Sequence, residues 1–427
     1  MSRIKKNPWT WVPSLYFAEG LPNVIVVYVA VIMYKRLGLS NTDIAIYTSW
    51  LYLPWVIKPF WSPFVDIIKT KRWWITIMQL LIGAALGGVA FTIPTSFWLQ
   101  GSLFFFWLMA FSSATHDIAA DGFYMLGLRD DQQAFFVGIR STFYRLAVLF
   151  GQGMLVMVAG NLEVYTRNIR YSWSLTFYLS AGLFIALWLY HNWILPKPKT
   201  DYDVKLTASE ISHGFFDAFR TFFQKRDIIT GLLFMLLYRA PEGMLSKICP
   251  LFLLDGRAQG GLGLSTQEIS LATGTVGVIG LTLGGIIGGI AASRWGLKRC
   301  LWPMVCAITL PDLVYVYLSQ VQPEGLLTAS ICIFFEQFGY GLGFTAYMLY
   351  LIYFSQGEHK TAHYAICTAF MALSLMLPGM FSGWLQESVG HSTFFIIVSV
   401  SCTMTFIVSA LVRIDPEFGK KEKQGAS

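Results

Sequence analysis

Long apolar runs of this chain carry charged side chains, among them Glu19, Lys58, Asp117, Asp121, Arg140, Arg145, Arg239, Glu242, Lys247, Asp312 and Glu336. Burying a charge at the middle of a bilayer costs at least ~2.5–3.5 kcal/mol on insertion scales, so each such residue is a functional hypothesis by default. Glu19 and Glu242 are carboxylates able to exchange a proton. Arg239 carries a planar fork that binds an anionic group such as a carboxylate in two parallel bonds.

Spacing sorts the rest. Asp117 and Asp121 are four residues apart and share one helical face. In an antiparallel hairpin, residues at equal depth have nearly constant summed numbers, and Asp117 with Arg145 totals 262 while Asp121 with Arg140 totals 261. Arg140 and Arg145 are separated by about 140° around a helix, so the two pairings cannot be equally good. The run Tyr238-Arg239-Ala240-Pro241-Glu242-Gly243, with Lys247 one turn on, loosens its own helix at Pro241 and Gly243. Gly20 and Pro22 do the same after Glu19. Interrupted helices beside polar groups point to a transporter site. The expected substrate and proton pathway is Glu19, Arg239, Glu242, Lys247 and Glu336, with Asp312 a weaker member. Lys58, Asp66, Asp117, Asp121, Arg140 and Arg145 are expected to gate it through ion pairs.

The elements that position these residues follow from composition. Of 427 residues, 55% are hydrophobic, 16% aromatic and only 13% charged, about half the charge of a soluble domain. Disordered, collagenous and disulfide-scaffold classes are excluded with the soluble ones. The net charge of +7 lacks the polar surface that a nucleic-acid face needs. The six cysteines have no C-x-x-C spacing and read as small buried side chains. Arg3, Lys5 and Lys6 resemble a signal-peptide start, but the apolar stretch behind them is long enough to span and has no cleavage site, so a retained first helix is expected.

Twelve stretches are long enough to cross a bilayer: 11–33, 43–65, 73–93, 97–121, 135–159, 171–194, 227–254, 266–292, 299–319, 325–354, 361–386 and 391–412. With that scheme 21 Lys/Arg lie on the side of the N-terminus and 5 on the other, which places both termini in the cytoplasm. The expected fold is an all-α polytopic membrane protein of twelve helices in two pseudo-symmetric six-helix bundles. Residues 1–194 form the first bundle, 195–226 a cytoplasmic linker, and 227–427 the second bundle with a short tail. In the linker, Thr207 and Glu210 have capping-box spacing, and Ile211, Phe215, Phe219 and Phe222 recur at helical intervals. An amphipathic helix on the membrane surface is expected there.

Internal matches support duplication. Ala18-Glu19-Gly20-Leu21 answers Pro241-Glu242-Gly243-Met244 at an offset of 223, and Leu37-Gly38-Leu39-Ser40 answers Leu262-Gly263-Leu264-Ser265 at 225. Asp66 with Lys71-Arg72 answers Ser293 with Lys298-Arg299 at 227, and Tyr124-Met125-Leu126 answers Tyr347-Met348-Leu349 at 223. No P-loop, G-x-S-x-G, H-E-x-x-H or nucleotide fingerprint is present. His359 and His363 have the i, i+4 spacing of metal ligands but lack an evident third strong ligand. A polytopic enzyme holding a metal on Asp117 and Asp121 is disfavoured by Arg140 and Arg145 at the same depths. Neither a metal nor a cofactor is expected, and the chain is not read as an enzyme.

The stretch Gly289-Ile290-Ala291-Ala292-Ser293-Arg294-Trp295-Gly296-Leu297-Lys298-Arg299 resembles the helix 8–9 loop signature of the major facilitator superfamily, departing at Ser293, where Asp is usual. Lys58-Pro59-Phe60-Trp61-Ser62-Pro63-Phe64-Val65-Asp66, Phe111-Ser112-Ser113-Ala114-Thr115-His116-Asp117-Ile118 with Asp121, Tyr144-Arg145-Leu146 and Glu19-Gly20-Leu21-Pro22 resemble the AmpG family of muropeptide permeases. The related acetyl-coenzyme A transporters share part of this pattern. The resemblance implies a monomeric secondary transporter of the bacterial inner membrane working by alternating access. Its expected partners are membrane lipid, protons and a small-molecule substrate. That substrate is an anhydro-muropeptide (GlcNAc-anhydro-MurNAc with or without peptide) or a related amino-sugar oligosaccharide; another sugar, an organic anion or acetyl-coenzyme A is the alternative cargo.

Overall fold

The computed structural model describes residues 7–197, 208–357 and 359–419; within its helices, the side chains at 66, 67, 130, 131, 134, 137 and 208–215 lie outside that description. The described residues are helical and contain no strand. In chain order the helices are α1 (Pro8–Arg36), α2 (Asn41–Trp50), α3 (Leu53–Ile67), α4 (Lys71–Thr92), α5 (Trp98–Gly127), α6 (130–166) and α7 (Ile169–Ile194). After the linker helix α8 (Ala208–Phe223) come α9 (Ile228–Leu254), α10 (Thr266–Trp295), α11 (Leu297–Val321), α12 (Leu326–Ser355) and α13 (Lys360–Leu411).

Ten of these are long and apolar enough to cross a membrane among the described residues. The other expected crossings are accounted for by two irregularities. The stretch expected at 43–65 is broken into α2 and α3 by a turn at Leu51-Tyr52. Pro54 explains the break, because it has no N–H to continue the ladder. The last two expected helices run together in α13, where Gly390 takes φ 77° and ψ 165° and interrupts the helical path. This arrangement is consistent with twelve crossings. Large apolar side chains such as Phe91, Phe104, Leu179 and Phe381 are more than half exposed, as lipid-facing residues are and soluble surfaces rarely are.

The chain divides into two units: Met1–Leu39 with Trp50–Ser212, and Ser40–Ser49 with His213–Ser427. The first has a core around Trp11, Leu15, Tyr16, Ile75, Phe123 and Tyr124. The second is built around Phe234, Tyr238, Met304, Tyr347, Leu351 and Cys367. In the second unit small residues bring backbones together. A Cβ on Gly284 of α10 would stand 2.0 Å from the carbonyl oxygen of Phe338 on α12, and one on Gly341 would stand 2.3 Å from that of Leu281. Close backbone approach through glycine is how helices adhere where lipid supplies no hydrophobic drive. All six cysteines are free thiols.

The linker helix packs on the second unit. Phe222 is fully buried against Phe354, Phe370 and His363. Phe216 is 69% exposed on the other side. The capping box at Thr207 and Glu210 lies outside the described residues. His363 Nε2 lies 3.1 Å from both Thr221 Oγ1 and the carbonyl oxygen of Ala218, and His359 Nε2 lies 3.1 Å from Asp217. The i, i+4 face of this histidine pair is therefore turned to the linker helix.

Candidate functional site

In the first unit, α1 carries Glu19 next to its irregular stretch. Pro22 removes a donor, and the helix widens into a π-helical turn at Ile25–Val29, a distortion frequent at functional positions. Gly20 lets α1 approach α6: a Cβ there would meet Tyr144 and Ala147 at 3.1 Å. Glu19 is thereby buried, and its Oε2 has no hydrogen-bond partner. The charged groups whose fields reach it are Asp121, Asp117, Arg140 and Lys58.

Asp121 and Arg140 form an ion pair of 3.1 Å. Tyr16 joins it, donating to Asp121 at 3.0 Å and accepting from Arg140 at 3.1 Å. The Arg140 guanidinium also lies over the rings of Tyr16 (4.8 Å) and Tyr124 (5.2 Å). Asp117 departs from the expected pairing with Arg145. It accepts a hydrogen bond from Trp55 Nε1 at 3.1 Å, and the cation acting on it is Lys58. The angular argument accounts for this: five residues on from Arg140, Arg145 is carried round to another face. Asp66 lies in α3, with its side chain outside the described residues.

The second unit holds a different arrangement. The α9 ladder breaks at Tyr238-Arg239, and Ala240–Leu254 restarts with Pro241 in its first turn. Gly243 allows α9 against α13, where a Cβ would stand 3.0 Å from the Leu375 backbone. Glu242 from α9, Asp312 from α11 and Glu336 from α12 are all buried. They bring three carboxylate oxygens within 4.8 Å of one another, and this is the group among the described residues with the geometry to hold a metal ion. Tyr315 donates to Glu336 at 3.2 Å and Cys249 donates to Tyr315 at 2.8 Å. Gln337 donates to Glu336, and Cys402 lies 3.4 Å from Asp312.

Arg239 is buried in an aromatic box. It donates to the Tyr340 hydroxyl, and its guanidinium lies 4.7 Å from the Phe344 ring centre, 5.5 Å from Tyr340 and 5.6 Å from Tyr347. Lys247 turns elsewhere, donating to Thr48 Oγ1 of α2 at 3.0 Å. The structure thus groups Glu19, Lys58, Asp117, Asp121 and Arg140 in one unit and Arg239, Glu242 and Glu336 with Asp312 in the other. Sequence reasoning did not single out Tyr16, Tyr315, Tyr340 or Phe344. The sequence signal is an aromatic one helical turn from an intramembrane charge, as Tyr16 is from Glu19, Tyr315 from Asp312 and Tyr340 from Glu336; Phe344 carries no such signal.

Comparison with known proteins gives these sites a family. The Major Facilitator Superfamily model matches residues 14–351 and again 244–427. The chain is 24% identical over 407 residues to the anhydromuropeptide permease of Escherichia coli (strain K12), covering 93% of this chain and 78% of that protein. It is 26% identical over 405 residues to a Rickettsia conorii relative carrying the AmpG name, covering 90% and 92%. Among solved structures, the nucleoside transporter NupG superposes with a TM-score of 0.71 at 16% identity, covering 97% of this chain and 100% of that one. A D-xylose-proton symporter superposes with a TM-score of 0.72 at 12% identity, covering 94% and 96%. The chain belongs to the major facilitator superfamily and is a multi-pass transporter of the bacterial inner membrane, not an enzyme.

Proposed function

We propose that this transporter imports anhydro-muropeptides or related amino-sugar oligosaccharides, driven by protons and working by alternating access. The observation that carries the cargo is the similarity to the anhydromuropeptide permease along nearly the whole chain. Proton coupling is supported by Glu19, a buried carboxylate with one oxygen lacking a hydrogen-bond partner, surrounded by two further acids. A carboxylate in that setting has every reason to travel with a proton and to release it when water or a cation arrives. Glu242 with Asp312 and Glu336 is the second proton station in this reading.

Arg239, set beside the rings of Phe344, Tyr340 and Tyr347, receives the anionic group of the cargo. Lys58, Asp66, Asp117, Asp121, Arg140 and Arg145 act in gating, with the Asp121–Arg140–Tyr16 triad breaking and re-forming through the cycle. Lys247 belongs to the same pathway through its contact with Thr48. The chain acts as a monomer, with residues 1–194 and 227–427 as its two bundles and 195–226 as the link.

The test is uptake of labelled GlcNAc-anhydro-MurNAc into vesicles containing the purified protein, with an imposed inward proton gradient. Uptake that collapses with an uncoupler is expected. Uptake indifferent to the gradient sinks the proton part; absence of uptake, with thermal stabilisation by another sugar, an organic anion or acetyl-coenzyme A instead, sinks the cargo.

A further inference from the structure

Lys225, Arg226 and Asp227, in the turn between α8 and α9, share a cavity of about 750 Å³ with the end of α12 and the tail that follows α13. That is the size of a small-molecule site. Tyr350, Tyr353 and Phe354 of α12 line it together with Phe418 of the tail. Its walls are held in place. Lys225 donates to the carbonyl oxygens of Phe354 and Gln356, where α12 ends. On the tail, Ile414 is buried and the Phe418 ring centre stands 4.9 Å from that of Tyr353. The Phe418 carbonyl oxygen accepts from the Leu297 N–H at 3.1 Å.

The cavity carries both signs of charge: Lys225, Arg226 and Arg413 against Asp227, Asp415 and Glu417. Among the described residues no ion pair joins Arg226 or Arg413 to Asp227 or Asp415. The Asp415 carboxylate accepts the Glu417 N–H at 2.9 Å instead. Opposite charges that line one cavity and leave each other unpaired point to a ligand that carries both. Depth indicates where that ligand comes from. Phe223, Ile229 and Leu411 are exposed apolar side chains, each within three residues of Arg226 or Arg413. Exposed apolar groups of a membrane protein face lipid, so the arginines beside them stand at the level of the headgroups.

We propose that this cavity holds the headgroup of a zwitterionic phospholipid, its phosphate on Arg226 and Arg413 and its ammonium on Asp227 and Asp415. A guanidinium binds a phosphate through two parallel bonds, and an ammonium brings N–H donors to carboxylates that have no proton to give. A purely anionic headgroup would leave the carboxylates opposed to it, and an uncharged ligand would leave both arginines unpaired. Bound there, the lipid bridges the turn before α9 and the tail after α13. The inference rests on membership of a membrane transporter family and not on the identity of the cargo.

The test uses the full-length protein in detergent, with native mass spectrometry reading the lipid retained from an equimolar mixture of phosphatidylethanolamine and phosphatidylglycerol. Wild type is expected to retain more of the phosphatidylethanolamine. Arg226→Gln with Arg413→Gln should lower that retention about tenfold. Asp227→Asn with Asp415→Asn should reverse the preference toward phosphatidylglycerol, because the arginines then act without opposing acids. Asn tolerates the left-handed backbone of Asp227, at φ 65°, so this pair should fold as wild type does. A wild-type preference for phosphatidylglycerol overturns the proposal, as does retention that survives the loss of both arginines. Soluble O-phosphoethanolamine at the lipid's concentration should displace nothing; displacement would assign the site to a free phosphate compound and overturn the lipid. The first comparison needs no variant. No measurement uses the cargo, so a wild type that takes up no disaccharide but retains lipid as expected fails the cargo assignment alone.

Discussion

Arg140 lies 3.1 Å from Asp121, and the hydroxyl of Tyr16 bonds to both while its ring lies under the guanidinium. One tyrosine thus serves the pair in two ways. The side chains remain 32% and 49% exposed, so solvent screens the attraction and its net contribution to stability is small. A partly exposed pair of this kind is suited to being broken and re-made.

Replacing Arg140 with Gln is therefore expected to lower stability by no more than about 1 kcal/mol while reducing uptake at least tenfold. A double-mutant cycle with Asp121→Asn measures the coupling. A stability loss of several kcal/mol with uptake preserved would make the pair a structural brace.

Glu19→Gln keeps the shape of the side chain and removes its charge. Because Oε2 has no hydrogen-bond partner to lose, thermal stability should hold or rise. Gradient-driven accumulation should be lost, and exchange of labelled for unlabelled cargo should continue. Retention of full accumulation removes Glu19 from the coupling mechanism.

Arg239→Lys preserves charge but loses the planar contact with Phe344, Tyr340 and Tyr347. Cation–π contacts contribute about 0.5–2 kcal/mol each with desolvation. The Michaelis constant should rise about tenfold in this variant and further in Arg239→Gln. Equal constants in wild type and Arg239→Gln would show that the fork does not touch cargo.

Phe222 fills a fully buried slot between Phe354, Phe370 and His363. Truncation to Ala is expected to cost about 3–5 kcal/mol and to lower the unfolding temperature of the detergent-solubilised protein. Phe216→Ala, on the 69% exposed side of the same helix, should leave that temperature unchanged. A thermal-shift measurement on both variants checks the contrast.

Much of this was legible in the amino-acid order. Apolar length, sparse charge and lopsided Lys/Arg placement are local properties, and they specify membrane helices directly. Proline and glycine act on their own turn, so the irregular stretch behind Glu19 and the break at Arg239 could be read from Gly20, Pro22, Pro241 and Gly243. The Asp121–Arg140 pairing also followed from hairpin depth. What hairpin depth could not supply was the rotation of each helix about its axis, which turned Asp117 to Trp55 and left Arg145 on another face. Packing also decided the meeting of Glu242, Asp312 and Glu336, brought together from three different helices. It decided as well the seating of Ser40–Ser49 on the second unit, because glycines at 379 and 383 and a carboxylate at 255 only become a seat once folded. Periodicity reports which face of a helix is apolar; which partner covers that face is a property of the whole fold.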